Sequence, residues 1–234
     1  MTRQTSKGKC SFCQAEFSKS GMTRHLETCK QREPAEARTG SRQKAQETKK
    51  FHLVVEGRDL PIYWMHLEVP AGTTLATLDR FLRDTWLECC GHLSAFEIGG
   101  VRYASDVGMN VDWDTGGDKS MRVHLDKVLS PGQTCYYEYD FGTTTELSLK
   151  VVSEREAEAK GKAIQVLARN DPPVILCEVC GKPATRVCAQ CIYDDKGWLC
   201  DVCVQDHECG EEMTLPVVNS PRVGMCGYTG EVYI

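Results

Sequence analysis

Residues 177–209 constrain the fold of this chain more than any other stretch. They read CEVCGKPATRVCAQCIYDDKGWLCDVCVQDHEC, with Cys177/Cys180, Cys188/Cys191 and Cys200/Cys203 as three Cys-x-x-Cys pairs, followed by His207 and Cys209. A Cys-x-x-Cys knuckle sets two thiolates on one tight turn, so each pair supplies half of a closed tetrahedral zinc shell and leaves no position open for a substrate water. Eight ligands make two such shells, and closed shells argue for structure before catalysis. The apolar residues between the ligands are few, chiefly Val179, Val187, Ile192, Trp198, Leu199 and Val202. Segments below roughly 40 residues seldom hold a core alone, whereas a structural zinc site contributes about 10 to 16 kcal/mol in apparent terms. The metal would therefore decide whether this stretch folds.

Spacing alone leaves the pairing open, because the loop between Cys180 and Cys188 can span about 23 Å when extended. We favour an interleaved cross-brace, with Cys177, Cys180, Cys200 and Cys203 on one zinc and Cys188, Cys191, His207 and Cys209 on the other. The spacing resembles B-box and related treble-clef modules, and that resemblance implies protein binding over catalysis. A disulfide framework is the competing reading. It is disfavoured because the N-terminus MTRQTSKGKC lacks the apolar run of a secretory signal.

A second metal signature lies near the N-terminus. In KCSFCQAEFSKSGMTRHLETC, Cys10 and Cys13 form a knuckle, and His25 and Cys29 stand four apart on one helix face. Phe17 and Met22 occupy the places where a ββα zinc finger keeps its small core, so the segment resembles a Cys-Cys-His-Cys variant of that finger. Counting from the helix start, the base-facing positions fall on Ser18, Gly21 and Arg24, of which only Arg24 is a strong base reader. One finger spans about three base pairs, too few for an address. A structural or protein-docking role is therefore the expectation. The two signatures together predict about three Zn2+ per chain.

Charge is unevenly distributed. Residues 1–50 carry twelve Lys and Arg against five Asp and Glu, and residues 51–234 carry sixteen against twenty-eight. A basic arm on an acidic body fits non-specific contact with nucleic acid through residues 1–50, and it fits a solvated, solubilising terminus equally well. No apolar run approaches the roughly 18 residues of a membrane span, so we expect a cytoplasmic protein with reduced thiols and no membrane partner.

The organisation expected is a finger at 1–30, a flexible charged linker at 31–50, an α+β domain at 51–171, the double zinc module at 172–215 and a Gly-rich tail at 216–234. Within the central domain, FHLVVE and IYWMHLEV alternate apolar and polar residues as half-buried strands. Trp64, His66 and Glu68 point opposite the apolar face of their strand and Trp113 lies in an acidic loop, so these aromatics either form a docking surface or, the preferred reading, are covered by a second layer of the fold. A helix follows, capped by Thr73 or Thr74, with Leu75, Leu78, Leu82 and Trp86 facing inward and Gly91 ending it. FEI and VRY flank Gly99 and Gly100 as a hairpin, TCYYEY and TELSLKVV flank DFGTT as another, and the segment up to Pro172 supplies a last strand. This order reads as a β-grasp-like domain flanked by the finger and the cross-brace module.

The runs LDRFLRDTWLECCGHLSAFEI, YEYDFGTTTELSL and NSPRVGMCGYTG are similar to the Ri-plasmid open-reading-frame-three-like domain, also met as a passenger protein of insertion elements. The resemblance implies an α+β fold. It supplies no catalytic residues, since the family has no established activity. Related domains often carry a Trp and a His after the DFG turn, where this chain has Thr145 and Leu147.

Four cysteines lie outside the two metal signatures: Cys89, Cys90, Cys135 and Cys226. Cys89, Cys90 and His92 offer a weak metal signature, Cys-x-His spacing with no fourth ligand, and core packing at a helix end is their expected use. Cys226 reads as a buried inert thiol, or as a nucleophile if His92, His66 or His124 stands beside it, which would make the central domain a hydrolase. DFG at residues 140–142 has no accompanying phosphate loop or HRD loop, so it reads as a turn with Gly142 taking the awkward dihedral. The preferred reading is a non-enzymatic, zinc-binding interaction protein with a protein partner. Its oligomeric state is not legible.

Overall fold

In the computed structural model, described for residues 6–32, 47–105, 117–158 and 164–230, one ten-stranded sheet runs through most of the chain. Its strands are β1 (Lys7–Cys10), β2 (Glu16–Ser18), β3 (Glu47–Gly57), β4 (Trp64–Pro70), β5 (Ser94–Ile98), β6 (Val101–Ala104), β7 (Lys119–Ser120), β8 (Thr134–Tyr139), β9 (Thr145–Glu158) and β10 (Gln165–Asn170). The order across the sheet is β2-β1-β10-β4-β3-β9-β8-β5-β6-β7, antiparallel throughout except for the β6/β7 pair. A separate three-stranded sheet joins β11 (Arg186–Cys188), β12 (Trp198–Leu199) and β13 (Thr214–Pro216). The helices are few: α1 (Lys19–Thr28) and α2 (Leu75–Leu82). This is a mixed α+β protein dominated by its sheet. Most of the 31–50 linker, and the loop holding Trp113, lie outside the described residues. No described helix is long and apolar enough to cross a membrane.

The two hairpins form where turn chemistry places them. Gly99 and Gly100 both take positive φ, 58° and 78°, and close β5 onto β6. β8 pairs with β9 from Tyr139↔Thr145 to Thr134↔Lys150. In the second turn, however, Asp140 and not Gly142 takes the left-handed conformation, at φ 66°. Its Oδ1 accepts from the Gly142 N–H at 3.0 Å, a local bond that offsets the cost of that backbone.

One face of the sheet carries the main core. Phe51, Leu53 and Val55 of β3, Met65, Leu67 and Val69 of β4, and Leu147, Leu149 and Val151 of β9 pack under α2. Thr74 caps α2, its Oγ1 accepting from the Thr77 N–H at 3.2 Å, and Leu75, Leu78, Leu82 and Trp86 are all buried. The helix does not run on to Gly91. It ends at Leu82 and widens into a π turn over Arg83–Leu87, which rotates the chain enough to bury Trp86 and Leu87 side by side. Directly after this turn come Glu88, Cys89 and Cys90.

β4 differs from the half-buried expectation: every residue from Trp64 to Val69 is buried. The cover is the N-terminal segment. β1 pairs with β10 in the register Gly8↔Asn170 to Cys10↔Ala168, so the hairpin continues the central sheet. Met22 and Leu26 of α1 pack with Trp64, Leu167 and Ala168 into a second small core. Beneath it the Glu68 carboxylate receives Arg155 Nε (2.9 Å), Lys50 Nζ (3.0 Å) and Arg32 Nη2 (2.6 Å). Burial alone would raise the pKa of Glu68, but these three cations hold it down to about 2. His52 Nε2 lies 2.9 Å from His66 Nδ1, and burial lowers the two pKa values to about 4 and about 3, so both rings are neutral at pH 7.

Within the Gly-rich C-terminal segment, residues 216–230 pack against the rest of the fold. Ser220, Arg222, Val223 and Tyr228 are buried, and Val223 joins the main core together with Val187 of β11.

Candidate metal centres

Every cysteine in the chain is a free thiol, and twelve Cys and His residues gather into the three predicted sets. In the N-terminal segment the turn after β1 carries Cys10 and Cys13, and α1 and its C-terminal cap carry His25 and Cys29. Cys10 Sγ lies 3.9 Å from Cys29 Sγ, and Cys13 Sγ 3.2 Å from His25 Nε2. The Phe17 ring stacks on His25 at 4.4 Å and fixes the imidazole. Helix α1 starts at Ser18, whose hydroxyl accepts from the Gly21 N–H.

In the C-terminal sheet the sets interleave. Cys177 and Cys180 meet Cys200 and Cys203 across β12, while Cys188 and Cys191 meet His207 and Cys209. Within each set the ligand atoms all lie within 4.8 Å of one another. Cys180 and Cys200 lie 3.6 Å apart, and Cys191 lies 3.7 Å from both Cys209 and His207. A tetrahedron with Zn–S bonds of about 2.3 Å has S···S edges of about 3.8 Å, so the donors stand where a zinc ion would hold them. Burial opposes ionisation of Cys177 and Cys188, yet backbone N–H groups of the knuckles, that of Cys180 toward Cys177 and that of Cys191 toward Cys188, bring both down to about 6. Cys191 and Cys203 are pushed the other way, up to about 12, Cys191 by burial and Cys203 by its Cys180 and Cys200 neighbours, so Cys177 and Cys188 are the thiols inclined to the metal-binding thiolate form.

A fourth set was missed by sequence reasoning. Cys89, Cys90 and His92 are joined by Cys226, 134 residues further along the chain than His92. Cys90 Sγ lies 3.5 Å from Cys89 Sγ, 3.9 Å from Cys226 Sγ and 2.9 Å from His92 Nε2, which is itself 3.2 Å from Cys226 Sγ. Cys226 is exposed and held at φ 46°, so it is not the buried thiol expected. Cys135, by contrast, is a core thiol, pushed up to about 12 by burial.

The NSPR residues brace this set. Asn219 Nδ2 donates to the Asn170 carbonyl at 2.9 Å and Ser220 Oγ to the Trp86 carbonyl at 2.6 Å. Arg222 is fully buried over the Tyr139 ring. It donates to Asp140 Oδ2 (2.8 Å), Thr145 Oγ1 (3.1 Å), the Thr143 carbonyl (3.1 Å) and Cys89 Sγ (3.4 Å). Thr145 thus serves as an acceptor for Arg222, and Leu147 lies in the core.

The profile of the plasmid pRiA4b ORF-3-like protein family matches residues 48–181. The chain belongs to that family. The match covers α2, the DFG turn and the first knuckle of the C-terminal module, so three of the Cys89–Cys90–His92–Cys226 ligands fall within the pRiA4b ORF-3-like region and the fourth falls beyond it. No curated protein matches the chain. Among solved structures, it is similar to a protein of unknown function, MM3350, from Methanosarcina mazei Go1. That similarity is 16% identity and a TM-score of 0.44, over 52% of this chain and 69% of the other.

Proposed function

We propose that this pRiA4b ORF-3-like protein is a zinc-dependent interaction module that docks a protein partner, with its thiols kept reduced in the cytoplasm. The observation that carries the reading is the grouping of the twelve predicted ligands into three closed four-donor sets at tetrahedral spacing. Such shells hold a fold together and offer no open coordination position. On this reading the N-terminal segment is a ββα-type finger, the central domain is β-grasp-like and the C-terminal module is a zinc cross-brace.

The docking surface lies on the C-terminal module. Val174, Leu176, Val179, Tyr193 and Val202 are between 58 and 76% exposed. Val179 and Val202 sit inside the two knuckles of one metal set, so the ligand spacing holds them close together. Apolar side chains presented on a rigid, metal-fixed turn fit burial against the apolar surface of another protein. Exposed Arg24 on α1 offers a contact for nucleic acid through residues 1–50. Ser18, by contrast, is committed to capping its own helix, which favours backbone contact over base reading.

Zinc analysis tests the reading. The three sets account for three ions per chain, and a protein that is metal-free, fully folded and indifferent to chelators overturns it. The docking surface is tested by the double variant Val179→Asp/Val202→Asp, which should keep its metal and lose the partner that the parent chain retains on affinity purification. Retention of that partner assigns docking to another face. For the arm, salt-sensitive retention on DNA or RNA that is lost with Arg24→Ala and Lys9→Ala supports nucleic-acid contact, and retention unchanged in both discards it.

A hydrolase built on Cys226 and His92 is the competing reading, and their 3.2 Å separation is what favours it. The direction of approach counts against it. Cys90, Cys226 and Asp140 Oδ2 (3.4 Å) all face the same ring nitrogen, Nε2. A nucleophile–base–acid relay uses the two nitrogens separately, one for the nucleophile and one for the orienting carboxylate. Cys90 and Cys226 gathered beside Nε2, with Cys89 next to them, is the arrangement of ligands around one ion.

A further inference from the structure

The fourth set differs from the other three in ways that assign it a different role. None of its ligands is buried, and Cys90 and Cys226 face solvent, whereas each of the other sets contains at least one buried cysteine. It has no Cys-x-x-Cys knuckle. Instead the π turn delivers two adjacent cysteines, Gly91 at φ 79° reverses the chain, and His92 follows. Hydrogen bonds among protein groups support it. Glu88 accepts from Arg83 Nε (2.7 Å), from the Tyr139 hydroxyl (2.9 Å) and from the Gly91 N–H (2.6 Å), while Arg222 anchors residues 219–223 to the DFG turn.

We propose that Cys89, Cys90, His92 and Cys226 hold a fourth zinc ion, open to solvent and exchangeable, that ties residues 224–230 to the end of the central sheet. This goes beyond the three folding ions of the proposed function. Three sulfurs and one imidazole within 4.8 Å of one another form a soft donor set that selects zinc over oxygen-loving cations such as Mg2+ or Ca2+. The outer groups suit a charged thiolate shell. The Arg222 guanidinium reaches Cys89 Sγ at 3.4 Å, and the His92 ring meets the Tyr139 ring edge-on at 5.8 Å, which fixes its orientation. Because Arg222, Ser220 and Asn219 already hold the preceding residues, loss of this ion frees the Met225–Cys226–Gly227 turn and leaves the sheet intact.

The test is metal counting on the full chain, purified without chelator, beside Cys226→Ser and His92→Ala. Each variant is expected to carry one zinc fewer than the parent. The difference between parent and variant reads the fourth site. The number remaining in the variant reads the three folding modules, so failure of one inference is separable from failure of the other. In the parent, a chromophoric zinc chelator such as 4-(2-pyridylazo)resorcinol should withdraw one ion in a fast phase that both variants lack. Circular dichroism should stay constant through that phase, and proteolysis near residues 225–227 should accelerate. Equal zinc content in parent and variants overturns the site. Loss of circular dichroism together with the fast ion overturns its exchangeable role. If Cys226→Ser fails to fold, His92→Ala gives the count.

Discussion

At the scale of single residues, Arg222 does more than any other side chain to shape this molecule. It is fully buried, its charge answered by Asp140, and its Nη1 and Nη2 also reach Thr145, the Thr143 carbonyl and Cys89. Removing one partner of a buried ion pair leaves the other charge uncompensated, at a typical cost of about 3 to 5 kcal/mol. Arg222→Ala should therefore lower stability by about that amount, read as a shift in the urea midpoint. Arg222→Lys should recover only part of the loss, because an ammonium cannot span a carboxylate, a hydroxyl and a sulfur as a planar fork does. A variant of parental stability would show that the Asp140 turn is held by other contacts. Asp140 explains in turn why the DFG sequence is here at all. Its left-handed backbone frees one carboxylate oxygen for the turn and turns the other toward Arg222.

Elements meet most tightly where β1 lies against β10. A methyl group added at Gly8 would fall on the Arg169 carbonyl. That is a backbone contact with no flexible group to yield, and overpacking of this kind costs about 1 to 3 kcal/mol. Gly8→Ala should therefore undock the N-terminal segment without emptying its metal site, and hydrogen exchange of the Gln165–Asn170 amides should rise while zinc content holds. Unchanged protection would mean that the helix, through Met22 and Leu26, carries the docking alone. This junction also marks what sequence could and could not supply. The knuckles, the Gly99–Gly100 hairpin and the α2 stripe were legible because each is a local pattern with a spacing or a period. That a layer covers Trp64 was expected, but its identity as the N-terminal segment was not legible, because alternation along β4 shows which residues share a face and not what lies above it. For the same reason Cys89, Cys90 and His92 looked incomplete: their fourth ligand arrives through a contact that no sequence spacing encodes. The π turn that aims them was hidden within an unbroken helical stripe, since Trp86 fits that stripe either way.

Across the whole molecule, the finger and the central sheet enclose a layer of ionisable groups whose protonation sets the response to acid. His52 and His66 are folded neutral, with pKa values lowered to about 4 and about 3, so below the ordinary value of 6.5 the unfolded chain takes up protons that the folded chain refuses. Their contribution is complete above pH 6.5 and declines as pH falls toward 4. Glu68, lowered to about 2, keeps its contribution down to its ordinary 4.5 and loses it below that. Arg32 and Arg155 further disfavour charging His52 and Lys19 disfavours charging His66, while Glu68 acts the other way on His52. Stability should thus fall continuously from pH 6.5 downward, and the fall between pH 6.5 and 5 should be shallower in His52→Gln. Any metal held by the Cys/His sets would be released by acid in both proteins alike, so the difference between them isolates the histidine; identical slopes would assign the whole effect to other groups. The seating of β1 on β10 carries one more consequence, for metal-starved conditions. A strand left bare at the border of a sheet is a template on which foreign backbone can polymerise, and the residues that shield β10 are themselves kept in shape by Cys10, Cys13, His25 and Cys29. Zinc in the finger would then guard solubility as well as shape, and scarcity of the ion would show first as self-association rather than as unfolding.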